Sequence, residues 1–252
     1  MRFASLGSGS RGNALVVQHQ CTTVLIDCGF SIKEVKRRLW NLHLDIDSLN
    51  AIVVTHEHTD HVSGVGVLAR KYQLPVYATP GTCRAASWGE ILDMHEMSPD
   101  QSLAIGDLEF SPFTVPHDAK QPCQFVITQG DHRLGVLTDT GSITPHIISQ
   151  LTLCDAMVLE CNHDVQMLQD SGYPQHLKQR IGGYLGHLSN QQAADLIRCL
   201  DTSRLKHMVA AHLSEKNNTC ELARREISNA LDCSPQWIGA IDQYDGLQWR
   251  DL

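Results

Sequence analysis

A stretch near residue 50 that ends in three histidines and an aspartate constrains this chain more than any other feature. It begins with residues 51–55, an apolar, β-branched run that is long enough for one buried strand and too short for a helix. Four side chains able to bind a metal ion follow within six residues, namely His56, His58, Asp60 and His61. Imidazole and carboxylate groups suit zinc, manganese or iron, and this spacing can serve two ions. A polar surface turn with histidines by chance is the alternative, which the density of ligands disfavours.

Polar side chains also follow three apolar strands predicted elsewhere in the chain. Each lies within two residues of the end of its strand, and they are His117, Asp139 and His212. Taken singly, such a residue is ordinarily only a polar side chain. Their repeated position after a strand, together with the loop at 56–61, predicts that all three join one metal centre. Asp27 closes another strand before a glycine, and it is expected to fix a loop by hydrogen bonds, with a simple turn residue as the alternative.

The order of the predicted elements indicates the fold class. Strands come early and in hairpin-like succession, and helices are interspersed rather than strictly alternating with them. This order predicts an α+β fold of two packed sheets, mostly antiparallel or mixed, rather than a doubly wound parallel sheet. No repeat, low-complexity segment or linker-like stretch divides the sequence, so residues 1–252 are predicted to form one domain.

Composition narrows the classes of function. The chain has 42% hydrophobic residues, and no apolar run approaches the length of a membrane span. Nine cysteines without a Cys-x-x-Cys pair, and no apolar segment of signal-peptide length, predict reduced thiols and a cytoplasmic protein without membrane contact. The net charge of −8 argues against a surface that coats nucleic acid generally. Four basic residues of one predicted helix are expected on a solvated face, with a nucleic-acid-binding patch as the alternative: Lys33, Lys36, Arg37 and Arg38.

The loop at 56–61 resembles the metal-binding signature of the metallo-β-lactamase superfamily of hydrolases, and the other strand ends resemble its remaining motifs in order. The resemblance implies a four-layer α/β/β/α sandwich that holds two divalent ions, zinc or manganese, with iron also possible. By this resemblance, one ion is held by His56, His58 and His117, and the other is held by Asp60, His61 and His212. Asp139 bridges the two ions, and Asp27 supports the ligands without binding an ion.

Two cations about 3.5–4 Å apart would supply the chemistry of such a site. A water that bridges them loses a proton near neutral pH, and the resulting hydroxide attacks an electrophile held against the same ions. Asp60 is therefore a catalytic candidate as well as a ligand. By the same resemblance, His58 stands where di-iron redox members have Glu, and Asp139 stands where zinc β-lactamases lack a carboxylate. No helical domain like that of glyoxalase II follows, so phosphodiester hydrolysis is the reaction that remains.

Four longer motifs narrow the resemblance. In order along the chain they are similar to those of the YycJ/WalJ family, and they span 5–13, 160–164, 186–190 and 212–218. Members of that family are regarded as 5′-to-3′ DNA exonucleases related to the β-CASP repair nucleases, so DNA is the expected partner. The β-CASP nucleases carry a large inserted domain, for which the stretch 140–211 is too short. A short helical segment at about 163–190 is expected in its place.

Two further histidines are candidates for catalysis. His187, in Gly-His-Leu-Ser-Asn, is placed like a phosphate-binding or proton-donating group, and a surface histidine that caps a helix is the alternative. His163 follows a predicted strand and is a candidate general acid or a support for a ligand. Hydrogen bonds to substrate phosphate are expected from Ser8, Ser10, Asn13 and Ser189, although turns rich in glycine and serine are common.

Three other functions fit parts of this pattern. A small-molecule phosphodiesterase, such as one that opens cyclic phosphates, resembles the same ligand set and suits the −8 charge better. An RNA-processing nuclease is a further alternative, although no Gly/Pro-rich insertion supplies the tRNA-binding arm of RNase Z. A non-catalytic scaffold would have no chemical need for seven ligands. Activity on bis(p-nitrophenyl) phosphate with added manganese or zinc separates the scaffold from both kinds of phosphodiesterase.

Overall fold

Fourteen strands form two seven-stranded sheets in a computed structural model that describes residues 1–252. The strands are β1 Arg2–Gly7, β2 Ala14–His19, β3 Thr22–Ile26, β4 Ala51–Val53, β5 Val76–Ala78, β6 Met94–Glu96, β7 Leu103–Ile105, β8 Leu108–Thr114, β9 Cys123–Gln129, β10 His132–Leu137, β11 Ala156–Glu160, β12 His207–Ala211, β13 Gly239–Ala240 and β14 Leu247–Asp251. The helices are α1 Ile32–Asn41, α2 Thr59–Val62, α3 Val65–Tyr72, α4 Pro80–Ala85, α5 Pro145–Leu151, α6 Val165–Asp170, α7 Gln175–Ile181, α8 Asn190–Arg198 and α9 Cys220–Leu231, with 3₁₀ turns at Ile46–Ser48 and Pro235–Trp237.

The two sheets share one plan. The first runs β14-β1-β2-β3-β4-β5-β6 and the second runs β13-β12-β11-β10-β9-β8-β7. In the first sheet β14 to β3 pair antiparallel and β3 to β6 pair parallel. In the second, β13 to β10 pair parallel and β10 to β7 pair antiparallel. The predicted mixed sheets are confirmed, with as many parallel as antiparallel pairings rather than an antiparallel majority.

Helices cover the outer face of each sheet, which confirms the four-layer sandwich. The core between the sheets contains Phe3, Phe110 and Phe125, all fully buried. The next residue along a strand belongs to a different layer: Ala4 packs in the cluster that contains α1 and α3 residues, and Val126 packs in the cluster that contains residues of α5, α8 and α9. Because both faces of these strands are buried, the sequence shows continuous apolar runs instead of clean alternation.

The short and terminal elements differ most from the sequence prediction. The sequence predicts a helix over 62–72, whereas α2 ends at Val62 and α3 begins at Val65; between them, a Cβ added at Gly64 would lie only 2.0 Å from the Phe30 carbonyl oxygen. The last strand predicted over 236–241 shrinks to β13, and β14 follows it and pairs with β1. The edge strands β6 and β7 have three residues each, too few to give a periodic signal.

Arg38 lies in the core, so its predicted place on a solvated face is wrong. It is 7% exposed, and its guanidinium group lies 4.3 Å from the centre of the Phe30 ring. Its Nη1 donates to the carbonyl oxygens of Leu6 and Gln243, while Nε donates to Glu34 at 2.6 Å. Arg38 therefore ties α1 to β1 and to the turn before β14.

Arg38→Met should destabilise the protein by about 2–4 kcal/mol, because it leaves two buried carbonyls without their donor and removes one of the two arginines that pair with Glu34. Urea unfolding of the purified variant measures this change in the free energy of unfolding. Arg37→Met is the matched control: Arg37 has a 53% exposed side chain on the same helix, and its loss should cost less than about 0.5 kcal/mol. Equal unfolding free energies for the two variants would contradict the assigned role.

Candidate metal centre

The seven predicted ligands meet at one edge of the sandwich, after the ends of β4, β8, β10 and β12. They fall into groups in which one nitrogen or oxygen atom per residue lies within 4.8 Å of the others. The groups are His56, His58 and His117; Asp60, His61 and His212; His56, His61 and Asp139; and Asp139, Glu160, His187 and His212. Strands far apart in sequence therefore bring all seven side chains to one place.

Three imidazole rings form the first group. The Nδ1 atom of His58 lies 3.1 Å from Nε2 of His56 and 3.3 Å from Nε2 of His117. Hydrogen bonds behind the rings fix two of them: Nδ1 of His117 donates to the Gly186 carbonyl oxygen at 3.0 Å, and Nδ1 of His56 lies 2.9 Å from the Thr55 hydroxyl. The three remaining nitrogens point at one another, an arrangement suited to a shared cation.

The second group joins α2 to the end of β12. The Asp60 Oδ2 atom lies 3.4 Å from Nε2 of His61 and 3.5 Å from Nε2 of His212. Asn13 holds Asp60 in place, because its side-chain amide donates to Oδ2 at 3.1 Å and its backbone N–H donates to the Asp60 carbonyl at 2.8 Å. Gly29 lies against this loop so closely that an added Cβ would be 1.9 Å from the Asp60 carbonyl oxygen.

Asp139 lies between the two groups. Its carboxylate, 2% exposed, is 3.1 Å from Nε2 of His61 and 3.3 Å from Nδ1 of His212, and 4.0 Å from Nε2 of His117. Asp139 thus lies near histidines that the family resemblance assigns to different ions, as expected of a carboxylate that bridges two ions.

Three residues of the centre have left-handed backbone conformations. Asp27, Asp139 and His212 have φ angles of 60°, 54° and 54°, although none is glycine. Such conformations are uncommon for residues with a side chain, and they cluster at functional sites where the surrounding structure holds them. Each of the three follows a strand, so this turn redirects the side chain toward the sheet edge.

Asp27 supports the centre from behind, as the sequence predicts. Its buried carboxylate accepts hydrogen bonds from the backbone N–H and the hydroxyl of Thr55, both at 2.8 Å. It also accepts a hydrogen bond from Nδ1 of His61 at 2.8 Å. Because this bond occupies Nδ1, the His61 lone pair is on Nε2, which faces Asp139 and Asp60.

The charges at the centre favour a cation. Burial disfavours every charge here, yet His61 and His212 hold the pKa of Asp60 well below its ordinary value. Against the same burial, Asp139 and Asp60 raise the pKa of His61 well above its ordinary range and that of His212 to about 10. Burial, with His61 adding to it, lowers the pKa of His56. The carboxylates thus draw positive charge to this edge, and a divalent ion would meet the same field.

Two buried atoms test whether a metal fits. The Oδ2 atom of Asp139 and the Nε2 atom of His212 are inaccessible to solvent and make no hydrogen bond. Buried polar groups without a partner are costly, and the missing interaction at both atoms is one that a cation would supply. All the ligand atoms are nitrogen or oxygen, which suits zinc, manganese or iron. The residues present therefore fit a pair of divalent ions.

Glu160 is a central residue that the sequence did not single out. It ends β11, is fully buried, and accepts hydrogen bonds on Oε1 from Nδ1 of His187 at 2.8 Å and from Nδ1 of His212 at 3.0 Å. Burial opposes its ionisation, but His187 and His212 lower the pKa of Glu160 to about 2. Its position at a strand end, like that of Asp139, was the signal that could have identified it.

Comparisons with known proteins agree with this geometry. Residues 22–212 match a family model described as "Beta-lactamase superfamily domain". The chain is 38% identical over 236 residues to "Exodeoxyribonuclease YycJ" of Bacillus anthracis, covering 92% of this chain and 89% of that protein. It is 36% identical over 245 residues to "Exodeoxyribonuclease WalJ" of Streptococcus pneumoniae, with 94% and 91% covered. The chain belongs to the YycJ/WalJ family of the metallo-β-lactamase superfamily.

A solved structure supports the fold of this YycJ/WalJ family member. The metallo-beta-lactamase fold protein YhfI from Bacillus subtilis superimposes with a TM-score of 0.78, at 17% identity and with 99% of each chain covered. This likeness confirms the predicted sandwich, the family model and the two relatives confirm the predicted superfamily, and the fold family implies divalent metal ions. No helix in the structure has the length and apolar character needed to cross a membrane.

The predicted phosphate contacts of this YycJ/WalJ family chain have different surroundings. Ser8 is buried, donates to Oδ1 of Asn13 at 2.9 Å and accepts from the His212 backbone N–H at 2.9 Å. Ser8 and Asn13 therefore brace the ligands. Ser10 is exposed in the turn between Ser8 and Asn13. Ser189 caps α8, accepting from the Gln192 N–H at 3.2 Å.

The two catalytic candidates also differ in placement. His187 belongs to one of the ligand-atom groups, with Nδ1 3.4 Å from Oδ1 of Asp139. His163 belongs to none of these groups and lies at the wall of a cavity between α6, α7 and α8.

Proposed function

We propose that this protein is a 5′-to-3′ DNA exonuclease that hydrolyses phosphodiester bonds with two divalent metal ions, zinc or manganese, with iron also compatible. The observation that carries the proposal is the convergence of seven histidine and aspartate side chains on one sheet edge. The two relatives named exodeoxyribonucleases, which match over about nine-tenths of the chain, support DNA as the substrate.

Each ligand has a distinct role in this proposal. His56, His58 and His117 would hold one ion, Asp60, His61 and His212 would hold the other, and Asp139 would be shared between them. When bound, the ions supply an activated water and neutralise charge on the phosphoryl oxygens. Asp60, half buried and fixed by Asn13, is also a candidate to accept the proton of the attacking water. Asp27 keeps the His61 ring in the tautomer that binds.

His187 is proposed to protonate the leaving oxygen. Its Nδ1 donates to the ionised carboxylate of Glu160, which fixes the ring and leaves Nε2 free on the side away from Glu160. Its side chain is 23% exposed, so that nitrogen is accessible to substrate. His163 has no carboxylate partner of this kind and is the weaker candidate for the same proton.

His187→Ala should lower turnover on DNA at least tenfold, and by up to the roughly 10²–10⁴ that general acid catalysis contributes, and leave the bound metal unchanged. Turnover on bis(p-nitrophenyl) phosphate should fall much less, because p-nitrophenolate departs without protonation. Steady-state rates on both substrates, with elemental analysis of the metal, measure the effect. His176→Ala, an exposed histidine of α7, is the control. Equal losses on the two substrates would exclude the acid role.

The helical segment at 163–190 is proposed to take the place of an inserted β-CASP domain within a single domain of residues 1–252. It contains α6 and α7, and α7 has no buried residue. Arg180 joins α7 to the loop that follows β8, because its Nε donates to Asp118 at 2.7 Å, next to His117. The segment therefore borders the site where a DNA strand would enter.

Manganese-loaded protein incubated with 5′- and 3′-labelled single- and double-stranded DNA tests the proposal, with Asp60→Ala as the blank. Stepwise loss of nucleotides from 5′ ends, absent from the blank, is the expected result. Intact DNA together with a hydrolysed cyclic nucleotide would transfer the function to a small-molecule phosphodiesterase. Cleaved RNA with intact DNA would make the protein an RNA-processing nuclease.

A cytoplasmic location is proposed from the thiols. All nine cysteines are free, and burial raises the pKa of Cys28 to about 12 and that of Cys154 to about 11, so these two are unreactive. Detection of the native protein in a periplasmic or secreted fraction would contradict this.

A further inference from the structure

A cavity of about 520 Å³ lies beside the metal centre, between α6, α7 and α8. It adjoins the centre through the backbone: His163, on its wall, follows Glu160 by three residues and pairs with Ser189, two residues after His187. Its volume is within the range of about 300–1,000 Å³ that is usual for small-molecule sites. The roles proposed above for His187 and for the metal-binding residues use none of this space.

The ring of His163 faces into the cavity with one nitrogen unpaired. His163 is 3% exposed, and its Nδ1 lies 3.3 Å from Oδ1 of Asn162, to which it donates. Its Nε2 makes no hydrogen bond, and a Cβ added to Gly182 on the opposite wall would lie 3.9 Å from it. Burial lowers the pKa of His163 to about 4, so the ring is neutral and Nε2 offers a lone pair. Because His163 Nε2 opens onto the cavity and makes no hydrogen bond within the protein, a ligand in the cavity that carries a donor would pair with it.

The remaining walls are polar but almost uncharged. Five glutamines line the cavity, namely Gln169, Gln175, Gln179, Gln191 and Gln192, while Val165 and Leu168 form an apolar part. No carboxylate lines it, which argues against a metal ion. Lys178 is the one ammonium group, and its Nζ already donates to the Gln169 carbonyl oxygen, which argues against a phosphate-only site.

A nucleobase has the complementary chemistry. It presents flat apolar faces to aliphatic side chains, and donors and acceptors along its edge to amides. We propose that this cavity receives one nucleobase of the DNA strand, next to the phosphodiester bond that is hydrolysed. The proposal rests on the nuclease function proposed above and adds a contact that positions the strand end against the metal centre.

A methionine placed at Gly182 should fill the cavity without disturbing the fold. The nearest atoms to a Cβ there are 3.5–3.9 Å away, which is ordinary contact, and the φ angle is −86°. Gly172, in the loop between α6 and α7, has nothing within 4 Å of an added Cβ and lines no part of the cavity. Gly172→Met is therefore the matched control for Gly182→Met.

The experiment compares single-stranded DNA with an intact base, or an abasic site, at the first or second nucleotide from the 5′ end. For wild-type protein and Gly172→Met, one of these abasic sites should raise KM at least fivefold. For Gly182→Met, KM on intact DNA should be raised to a similar degree, with no further effect of the abasic site. Bound metal and the melting temperature verify that the variants are folded.

The outcomes separate the two proposals. If wild-type protein degrades DNA but neither abasic site changes KM, or if the two methionine variants behave alike, the base-binding role of the cavity is overturned and the nuclease stands. If wild-type protein does not degrade DNA while bis(p-nitrophenyl) phosphate is hydrolysed, the nuclease itself is overturned and this inference falls with it.

Discussion

Asp139→Ala should bind fewer than two metal ions and lose more than about 100-fold in turnover on DNA and on bis(p-nitrophenyl) phosphate alike. Loss of a residue that only orients a ligand costs about 10–100-fold, and Asp139 is placed to bind both ions directly. Without its carboxylate, His61 and His212 lose the negative charge that lies 3.1 and 3.3 Å from them. The two remaining groups of ligands would then hold their ions less tightly and at a different spacing.

Elemental analysis of metal per chain, together with rates on both substrates, measures the effect of Asp139→Ala. Asp131→Ala is the matched control, because Asp131 is exposed in the turn at the other end of the same strand, β10. It should retain wild-type metal content and turnover. Two tightly bound ions in Asp139→Ala would contradict the bridging assignment, even if the variant were inactive.

The convergence of the seven side chains was predictable because their signal is local and repeated. The loop at 56–61 presents four ligands in six residues, and His117, Asp139 and His212 each follow an apolar strand. Because the ends of neighbouring strands lie side by side in a sheet, residues that directly follow strands are expected to lie close together. The grouping into two ions depends on which rings face one another, and it came from the family resemblance.

The supporting contacts were not predictable in the same way. Ser8 accepts from the backbone of His212 across 204 residues, and Arg38 reaches the Gln243 carbonyl across 205. The spacing of apolar residues in the sequence does not predict such contacts, because they depend on how two loops meet after the sheets have packed. Glycine- and serine-rich turns suggested phosphate binding at Ser8, whereas its hydroxyl is fully used inside the protein.

Backbone conformation was hidden for a different reason. In a sequence, glycine is the residue that indicates a positive φ angle. Asp27, Asp139 and His212 have positive φ angles although none of them is glycine. The strain is held by the hydrogen bonds around each residue, such as the three that Asp27 accepts. From sequence alone, a positive φ angle at such a residue can be expected only if the residue is already suspected to belong to a functional site.

Glu160→Gln should be strongly disruptive although it changes only one atom and one charge. All four partners of the carboxylate are donors: Oε1 accepts from Nδ1 of His187 and of His212, and Oε2 accepts from the backbone N–H groups of Thr140 and Leu188, at 3.1 and 3.0 Å. A glutamine has one acceptor oxygen, so whichever way it turns, its NH₂ group faces two donors. In a fully buried position that mismatch has no water to relieve it.

Two consequences of Glu160→Gln can be measured apart. Loss of support for His212 should weaken metal binding about 10–100-fold in competition with a chelator, as for other residues that orient metal ligands. Loss of support for His187 should lower turnover on DNA more than on bis(p-nitrophenyl) phosphate, even at saturating metal. Glu109→Gln, an exposed residue of β8, should change neither quantity.

The double variant Glu160→Gln/His187→Ala separates the two roles of Glu160. If Glu160 acted only through His187, metal affinity would be that of wild type and turnover would equal that of His187→Ala alone. We expect instead that the double variant binds metal as weakly as Glu160→Gln, since His212 has lost its partner in both. Wild-type metal affinity in Glu160→Gln would show that the 3.0 Å contact with His212 does not stabilise the metal centre.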